Sequence, residues 1–587
     1  VTDQKLTKQV SLRQIFNYFL SILGPESKFY WLAIVYGVGI SLLSLALPIS
    51  VQMVVNTVAH TGLTTPLVVL TVTLFALLLT AGLLYALRIH LMDLFQRRFY
   101  ARMVSSIALR SVYALNPFFQ DYNKGTLFNR YFDILIVQKT VPNLLVGGFA
   151  IILQAAVGFV LVSLYHPLFL VFNLVVILLI WAIWLIWGGR AIRSAVEVSH
   201  KKHATAAWIE GLGASNGFFK SEHHISEALR RTDEVTSEYI DRHKKHFRHH
   251  FSQTLCFVAL YAVASASLLG LGGWLVIQGQ LSLGQLVAAE LVLSAVFFGL
   301  SQLGTYLAYF YELCAALEEL SLFDDIEQDL PSRNQRQGFE GDASLQFLDA
   351  IGDARGKRVT LNFMIPSRAR VMAVAETHAV QRAVTDLLKR HEKIRGGFVS
   401  LGEQDINGVP AHVLRQEIIV LDRPNATEMT IREYLHLSAE GASTPRILQT
   451  LRTVGLDTAI AQLDDGLDTR VAATGWPLTI TETMQLKLAA AIIARPRVLV
   501  LGQLYDSMTS EHLRNALDQL QEDSETTVID FSSRYRDLGY DMYLHLGMDS
   551  QRLFDTFDEL CKSASGEPCA PGTGDSAETR SGLMPAL

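Results

Sequence analysis

Six apolar runs dominate the first 320 or so residues of this 587-residue chain, at about 29–55, 64–89, 143–164, 168–188, 254–278 and 283–311. A helix needs roughly 20 mostly apolar residues to cross the hydrocarbon core of a bilayer. Lipid offers backbone amides no partners, so such segments are confined to helices. The spacing between runs is uneven. Links such as VAHTGL, YHP and IQGQLSLG join the first to the second, the third to the fourth and the fifth to the sixth. The other two gaps span about 50–65 residues and carry a helical pattern. That layout predicts a polytopic α-helical membrane domain, with six transmembrane helices and long cytoplasmic extensions that return as hairpins. Residues 116–133 and 204–221 supply the two hairpin turn regions.

Charge orients this domain. Arg97, Arg98, Arg102, Arg110 and Lys124 lie in the first long gap. The second holds Arg190, Arg193, Lys201, Lys202, Arg230, Arg231, Lys244 and Lys245. The short links hold almost no Lys or Arg, so the positive-inside rule places the long gaps and both termini in the cytoplasm. The expected location is a cytoplasmic (inner) membrane, spanned several times. Residues 1–28 show no cleavable signal peptide. They read as an amphipathic segment with Leu12, Ile15, Phe16, Phe19 and Leu20 on one face, suited to a membrane surface.

Half of all residues are hydrophobic and 18% are charged, a moderate balance for a membrane protein with a soluble part. A net charge of −6 gives no general reason to expect nucleic acid as a partner. Four cysteines (Cys256, Cys314, Cys561 and Cys569) form no disulfide framework or metal-ligand spacing. His243, His246, His249 and His250 recur at helical spacing but lack interleaved acidic or Cys ligands, so they read as a solvated basic helix face and no metal is expected. Glu290 falls in the sixth run. An intramembrane carboxylate is a functional candidate, and a position near the outer water is the equal alternative.

Beyond a polar linker at 326–342, residues 343–561 read as an α/β domain of the P-loop NTPase type. Short alternating strands cover 343–373, followed by a turn and helix over Ala375–Lys389. Further strands are expected at 418–421, 498–502 and 528–531, with a helical region over about 427–495. Residues 562–587 read as a disordered tail.

The order of landmarks resembles a half-transporter of the ABC superfamily with the type I exporter fold. LNFMIPSRARVMAV looks like the strands leading into Walker A. LRQEIIVLDRPNATEMTIREYL resembles the Q-loop segment, and LDDGLDTRVAATGWPLTITE the approach to the LSGGQ signature. LAAAIIARPRVLVLGQ resembles the signature helix running into Walker B. In the membrane half, ALNPFFQDYNKGTLFNRYFDI looks like the first coupling-helix region, and ALPISVQMVVNTVAH resembles the first span of type I secretion exporters.

By that resemblance, nearly every nucleotide-handling position is substituted. The segment DAIGDARG carries no aromatic for the adenine. Ala375, His378 and Val380 stand for the phosphate-cradling glycines. Gln381 stands for the lysine, a charge-assisted contact worth about 1.5–3 kcal/mol. Arg382 stands for the magnesium-binding hydroxyl. Asp422 takes the Q-loop glutamine position, and Thr479 is the hydroxyl retained in LTITE. Gly502 and Gln503 replace the Walker B Asp and catalytic Glu, which removes magnesium coordination and the base toward water. Ser533 falls at the switch histidine. Phe118, Phe119, Trp208 and Glu210 are candidate coupling-helix contacts, with plain hairpin packing as the equal alternative.

The resemblance thus implies a pseudo-ATPase with no catalytic residues and no cofactor of its own, ATP and magnesium being confined to a partner subunit. Expected partners are the lipid bilayer, a second half-transporter in a homodimer or heterodimer, and a periplasmic adaptor. The first function class is a catalytically inactive export or secretion subunit energised by its partner. The alternatives are a non-transporting scaffold or regulator and, last, an ATP-independent channel or carrier.

Overall fold

The computed structural model describes residues 12–60, 64–115, 125–328, 338–339, 341–438, 441–534, 536 and 538–565. The candidates Phe118 and Phe119 and the tail beyond 565 lie outside the described residues. The chain divides into two compact units, Val1–Gln328 and Asp329–Leu587.

The first unit is helical: α1 (Leu12–Leu23), α2 (Ser27–Ser44), α3 (Ala46–His60), α4 (Thr64–Val112), α5 (Asp133–Asn143), α6 (Phe149–Ser163), α7 (Pro167–Ala214), α8 (Glu222–Ile277) and α9 (Leu283–Ser321). Among the described residues, six stretches are long and apolar enough to cross a membrane, the number expected from the runs. With 48 and 56 residues, α7 and α8 extend about 70–85 Å at 1.5 Å per residue. Each is therefore continuous far beyond a core of about 30 Å.

Links are short where local chemistry starts helices sharply. His166 caps α7, its Nδ1 accepting from Leu168 N at 3.2 Å, and Pro167 supplies the first helical residue. Ser282 and Gln285 form a reciprocal capping box at the start of α9. Two spans are less regular than the apolar runs imply. The first breaks at Leu45, just ahead of Pro48 in the opening turn of α3. The third contains Pro142 and then one π-helical stretch, Leu144–Gly148, before α6 begins. Arg88 of α4, 1% exposed, donates to the Leu145 carbonyl there. Small residues bring helices close: a Cβ on Gly158 of α6 would sit 2.8 Å from Val292 Cγ1 of α9.

The apolar face expected on α1 is open, and the helix is anchored to its own unit by other residues. Phe16, Phe19 and Leu20 are exposed, while Ile22 and Leu23 are buried. The anchor continues in Glu26, whose buried carboxylate receives Arg102 Nε at 2.7 Å and Nη2 at 2.8 Å. The second hairpin turn is also shorter than expected. Helix α7 runs through Ala214, so Trp208 and Glu210 lie on a helix, and the chain reverses over Ser215–Ser221. The histidine run is only partly solvated: His243 is exposed, but His246, His249 and His250 are half-buried, and His246 and His250 are stacked and edge-on to Tyr311.

The second unit is α/β. Strands β1 (Leu345–Ala354), β2 (Lys357–Ile365), β3 (Arg370–Ala375), β4 (Phe398–Leu401), β5 (Gln404–Asp405), β6 (Ile418–Leu421), β7 (Met429–Thr430), β8 (Arg470–Val471), β9 (Val498–Leu501), β10 (Thr527–Phe531), β11 (Met542–Leu546) and β12 (Gln551–Phe554) form three sheets. The helices are α10 (His378–Leu388), α11 (Ala411–Glu417), α12 (Ile431–Ser438), α13 (Thr444–Thr453), α14 (Asp457–Ala461), α15 (Ile480–Ala494), α16 (Ser510–Asp523) and α17 (Phe557–Ser565). The main sheet has order β12-β11-β3-β10-β9-β6, parallel except for β12. Every residue of β9 and β10 is buried, as a strand covered on both faces requires. A four-stranded antiparallel sheet has order β2-β1-β4-β5. The helical region expected over 427–495 is interrupted by the small β7–β8 pair.

Replacing Glu26 with Ala leaves the Arg102 guanidinium without its carboxylate in a part-buried site. A loss of about 3 kcal/mol and faster proteolysis of α1 are expected in detergent-solubilised protein. An unchanged melting temperature and digestion pattern would remove this anchor.

Candidate functional site

Parallel strands deliver their carboxyl ends to one edge of the sheet, where α/β folds bind ligands. Here β3, β10, β9 and β6 end in Ala375, Phe531, Leu501 and Leu421. Four candidate positions therefore share that edge: the turn after β3, Ser533, the Gly502–Gln503 pair, and Asp422.

Only Glu376 and Thr377 separate β3 from α10. Thr377 is the N-cap, its Oγ1 accepting from Val380 N at 3.4 Å, so His378, Ala379 and Val380 already belong to the helix. Glu376 Oε2 accepts from Met548 N at 3.1 Å, which fixes a carboxylate at this turn. Gln381 is 3% exposed with Oε1 unpartnered, whereas Arg382 is half-exposed and reaches Asp386 Oδ2 at 3.3 Å. Thus the side chain at the lysine position points into protein, and its neighbour pairs along its own helix.

Across the sheet, Asp422 pairs with Lys389 at the C-terminal end of α10. Lys487 of α15 donates to the carbonyls of Arg423 at 2.6 Å and Asn425 at 3.0 Å, and burial lowers its pKa. Gly502 closes against this segment: its N–H donates to Leu421 O at 3.0 Å. A Cβ there would meet Asp422 Cα at 3.1 Å and Leu421 O at 3.3 Å. Gln503 is exposed at the start of a 3₁₀ turn, Gln503–Ser507.

That turn carries Asp506, the centre of the best-connected polar group at this edge. Ser532 Oγ donates to its Oδ1 at 2.6 Å. Ser533 donates to Oδ2 from N and Oγ at 3.1 and 3.0 Å, and Arg536 Nη2 lies 2.8 Å from Oδ1. Ser533 therefore acts as a tether between β10 and the turn after β9. Nearby Asp530 is fully buried, accepts from Tyr540 Oη at 2.6 Å, and has a pKa raised to about 6, mainly by burial.

In LTITE, Thr479 caps α15 and Glu482 reaches back to the Thr479 N–H at 2.7 Å, a complete capping box. Ile480 is 62% exposed, beside exposed Trp476. Thr481 Oγ1 contacts Ser507 Oγ at 3.3 Å.

In the membrane unit, Trp208 Nε1 donates to Thr232 Oγ1 at 2.9 Å, which joins α7 to α8. Glu210 accepts from Asn129 Nδ2 at 2.8 Å. Both contacts lie within the membrane unit. Glu290 is half-buried, accepts from Ser294 Oγ at 2.8 Å, and keeps Oε2 unpartnered. Glu376, Lys389, Lys487, Asp506 and Arg536 join the site only in the fold, and sequence motifs give no sign of them. Thr377 alone carries a local signal, a hydroxyl at the N-cap ahead of an apolar-periodic run.

Two variants probe the second unit. Gly502→Asp forces a Cβ and a second carboxylate against the Asp422 backbone. It should destabilise by about 1–3 kcal/mol, read as a lower chemical-denaturation midpoint; an unshifted midpoint would show that the β6 end yields. Asp530 has its folded pKa raised from 3.8 to about 6. The folded state therefore binds more protons than the unfolded one between those values. The stabilisation is present below 3.8 and lost as pH rises through about 6, a swing of about 3 kcal/mol at 1.36 kcal/mol per unit. Asp530→Asn should flatten that slope in denaturation midpoints measured across the interval.

No family model matches the chain. It is 25% identical over 560 residues to the ABC multidrug transporter mdr2 of Aspergillus fumigatus, covering 90% of this chain and 68% of that protein. It is 23% identical over 337 residues to the uncharacterized ABC transporter ATP-binding protein YknU of Bacillus subtilis, covering 55% and 56%. A fatty acid ABC transporter ATP-binding/permease protein of Mycobacterium bovis is 26% identical over 269 residues, covering 44% and 42%. The chain thus spans about half the length of the latter two relatives. A bacterial Atm1-family ABC exporter with ATP bound superposes with a TM-score of 0.76 at 17% identity, covering 92% of this chain and 97% of that one. One six-helix membrane unit followed by one α/β unit, together with these likenesses, gives this chain the ABC exporter fold.

Proposed function

We propose that this chain is a non-hydrolysing subunit of an export or secretion complex in a cytoplasmic membrane, with both termini cytoplasmic and its energy supplied by a partner chain. The observation that carries the reading is the immediate start of α10 after β3. A phosphate cradle needs backbone N–H groups free to surround the anion. Here Thr377 Oγ1 takes the Val380 N–H and His378 and Ala379 are already helical, so only Glu376 and Thr377 remain as a turn. The residues present do not fit a magnesium triphosphate. Gln381 is buried, a carboxylate stands at the turn in Glu376, and Gly502 leaves β9 without a metal ligand. Gln503 cannot accept a proton from an attacking water.

A second reading, a non-transporting scaffold or regulator, draws on α15. A partner's nucleotide would need the amide-rich start of this helix to face its phosphates. Glu482 already returns a carboxylate to the Thr479 N–H, and Ile480 projects from the first turn. An acidic group at that place repels phosphate.

The two readings separate on the partner. In the subunit reading, the tagged chain co-purifies with a second ABC chain bearing intact Walker and signature motifs, and transport stops when that partner's catalytic carboxylate is removed. The purified chain alone should show neither saturable trinitrophenyl-ATP binding in the micromolar range nor phosphate release. Micromolar binding with turnover would end both readings.

A further inference from the structure

Beyond the apolar stretches of the membrane unit lies a group of ionisable side chains that the proposed function does not use. His200 sits on α7; Glu318 and Glu319 are successive residues near the end of α9. His200 Nε2 is 2.9 Å from Glu318 Oε2 and 3.9 Å from Glu319 Oε1. One ligand atom from each of the three lies within 4.8 Å of the others.

The burial of Glu319 makes this arrangement unlike a surface acidic pair. Its side chain is wholly inaccessible, and that of Glu318 is 9% exposed. Arg130 Nε holds Glu319 Oε2 at 2.5 Å, but Oε1 makes no hydrogen bond and faces the other two groups. An unpartnered buried acceptor costs on the order of 1–3 kcal/mol, more when charged. With a neutral imidazole, two carboxylates against one guanidinium leave one uncompensated negative charge. A cation lodged between the three atoms would remove both costs.

We propose that His200 Nε2, Glu318 Oε2 and Glu319 Oε1 bind a divalent transition-metal ion that staples α7 to α9. One imidazole and two carboxylates form a donor set for borderline ions, with Zn²⁺ held more tightly than Mn²⁺. Magnesium and calcium prefer oxygen alone. Arg130 acts as an outer partner: by occupying Oε2 it leaves Oε1 to the ion and orients the carboxylate. His200 is 31% exposed and provides the side from which an ion enters. The site is distinct from the histidine run His243–His250 on α8.

The test uses the full chain in detergent or nanodiscs, stripped by a chelator and dialysed against zinc chloride, with bound metal counted by mass spectrometry. Wild type should retain one zinc per chain that Mn²⁺ displaces only at large excess. His200→Ala and Glu318→Gln should each weaken it by about tenfold or more. The double change His243→Ala, His249→Ala should retain it. Cobalt substituted at the site should give a ligand-field absorption band that Glu318→Gln abolishes. Should His200→Ala fold poorly, the near-isosteric Glu318→Gln still decides the matter. Zinc should raise the melting temperature of wild type and leave that variant unmoved. A wild-type chain that takes up no zinc, or a Glu318→Gln chain that binds it equally well, overturns the site.

Discussion

The distance along the chain between β3 and α10 governs the second unit. Two residues turn the strand into the helix, and Thr377 caps it at once. Once the helix begins at His378, Thr377 takes the Val380 N–H and only Glu376 and Thr377 are left as a turn, too short to wrap an anion. The helical period then sets the facing of the next side chains. Val380 and Gln381 turn inward, and Arg382 falls on the outer face in reach of Asp386. Side chains at the lysine and hydroxyl positions are thus oriented by packing, with no nucleotide needed to hold them. The same logic holds at β9, where the absence of a side chain at Gly502 lets Leu421 and Asp422 approach to within van der Waals contact.

Long helices impose a different constraint on the membrane unit. Segments of 48 and 56 residues carry apolar surface at one end and charge at the other, and the charged ends are held by pairs between helices. Asp133, fully buried, receives Lys202 at 2.7 Å and His203 at 2.6 Å. Glu26 receives Arg102, and Glu319 receives Arg130. Buried pairs of this kind contribute little net stability against apolar substitutes, but breaking one partner is costly. They therefore fix which helices lie together. Apolar packing alone, as at Gly158 against Val292, discriminates less.

Elements with a strong period or a long apolar run were legible in the sequence: all six spans, β9, β10, and the β3–α10 passage. The strands β11 and β12 were not, because Gln551–Phe554 is only half-buried and lacks a clean alternation. Helix α16 is hidden in a polar stretch that buries only Leu513, Ala516, Leu517 and Leu520. Pro142 is readable as an irregularity, but nothing local announces the π-helical stretch after it, where Arg88 reaches the Leu145 carbonyl from another helix. Arg88 itself reads as the end of an apolar run and is fully buried in the fold. The polar pairs are the least legible of all. Glu26 and Arg102 are 76 residues apart, and Arg130 and Glu319 are 189 apart, so no local pattern announces them.

At the candidate site, sequence spacing located the positions and tertiary contacts decided what each residue does. Ser533 falls at the switch-histidine position when read along the chain. In the fold it donates twice to Asp506, which also receives Ser532 and Arg536, so the end of β10 is tied to the turn after β9. Asp422 looks like a lost polar contact and instead pairs with Lys389, joining α10 to the end of β6. Glu482 looks like a disrupted signature and completes a capping box. Each of these residues has an intramolecular partner of its own. A domain with these contacts needs no ligand to order its sheet edge, and the buried β9 and β10 strands depend on none of them. That separation between the residues that hold the fold and those at the ligand edge is the physical reason such a sheet can persist whatever chemistry its edge carries.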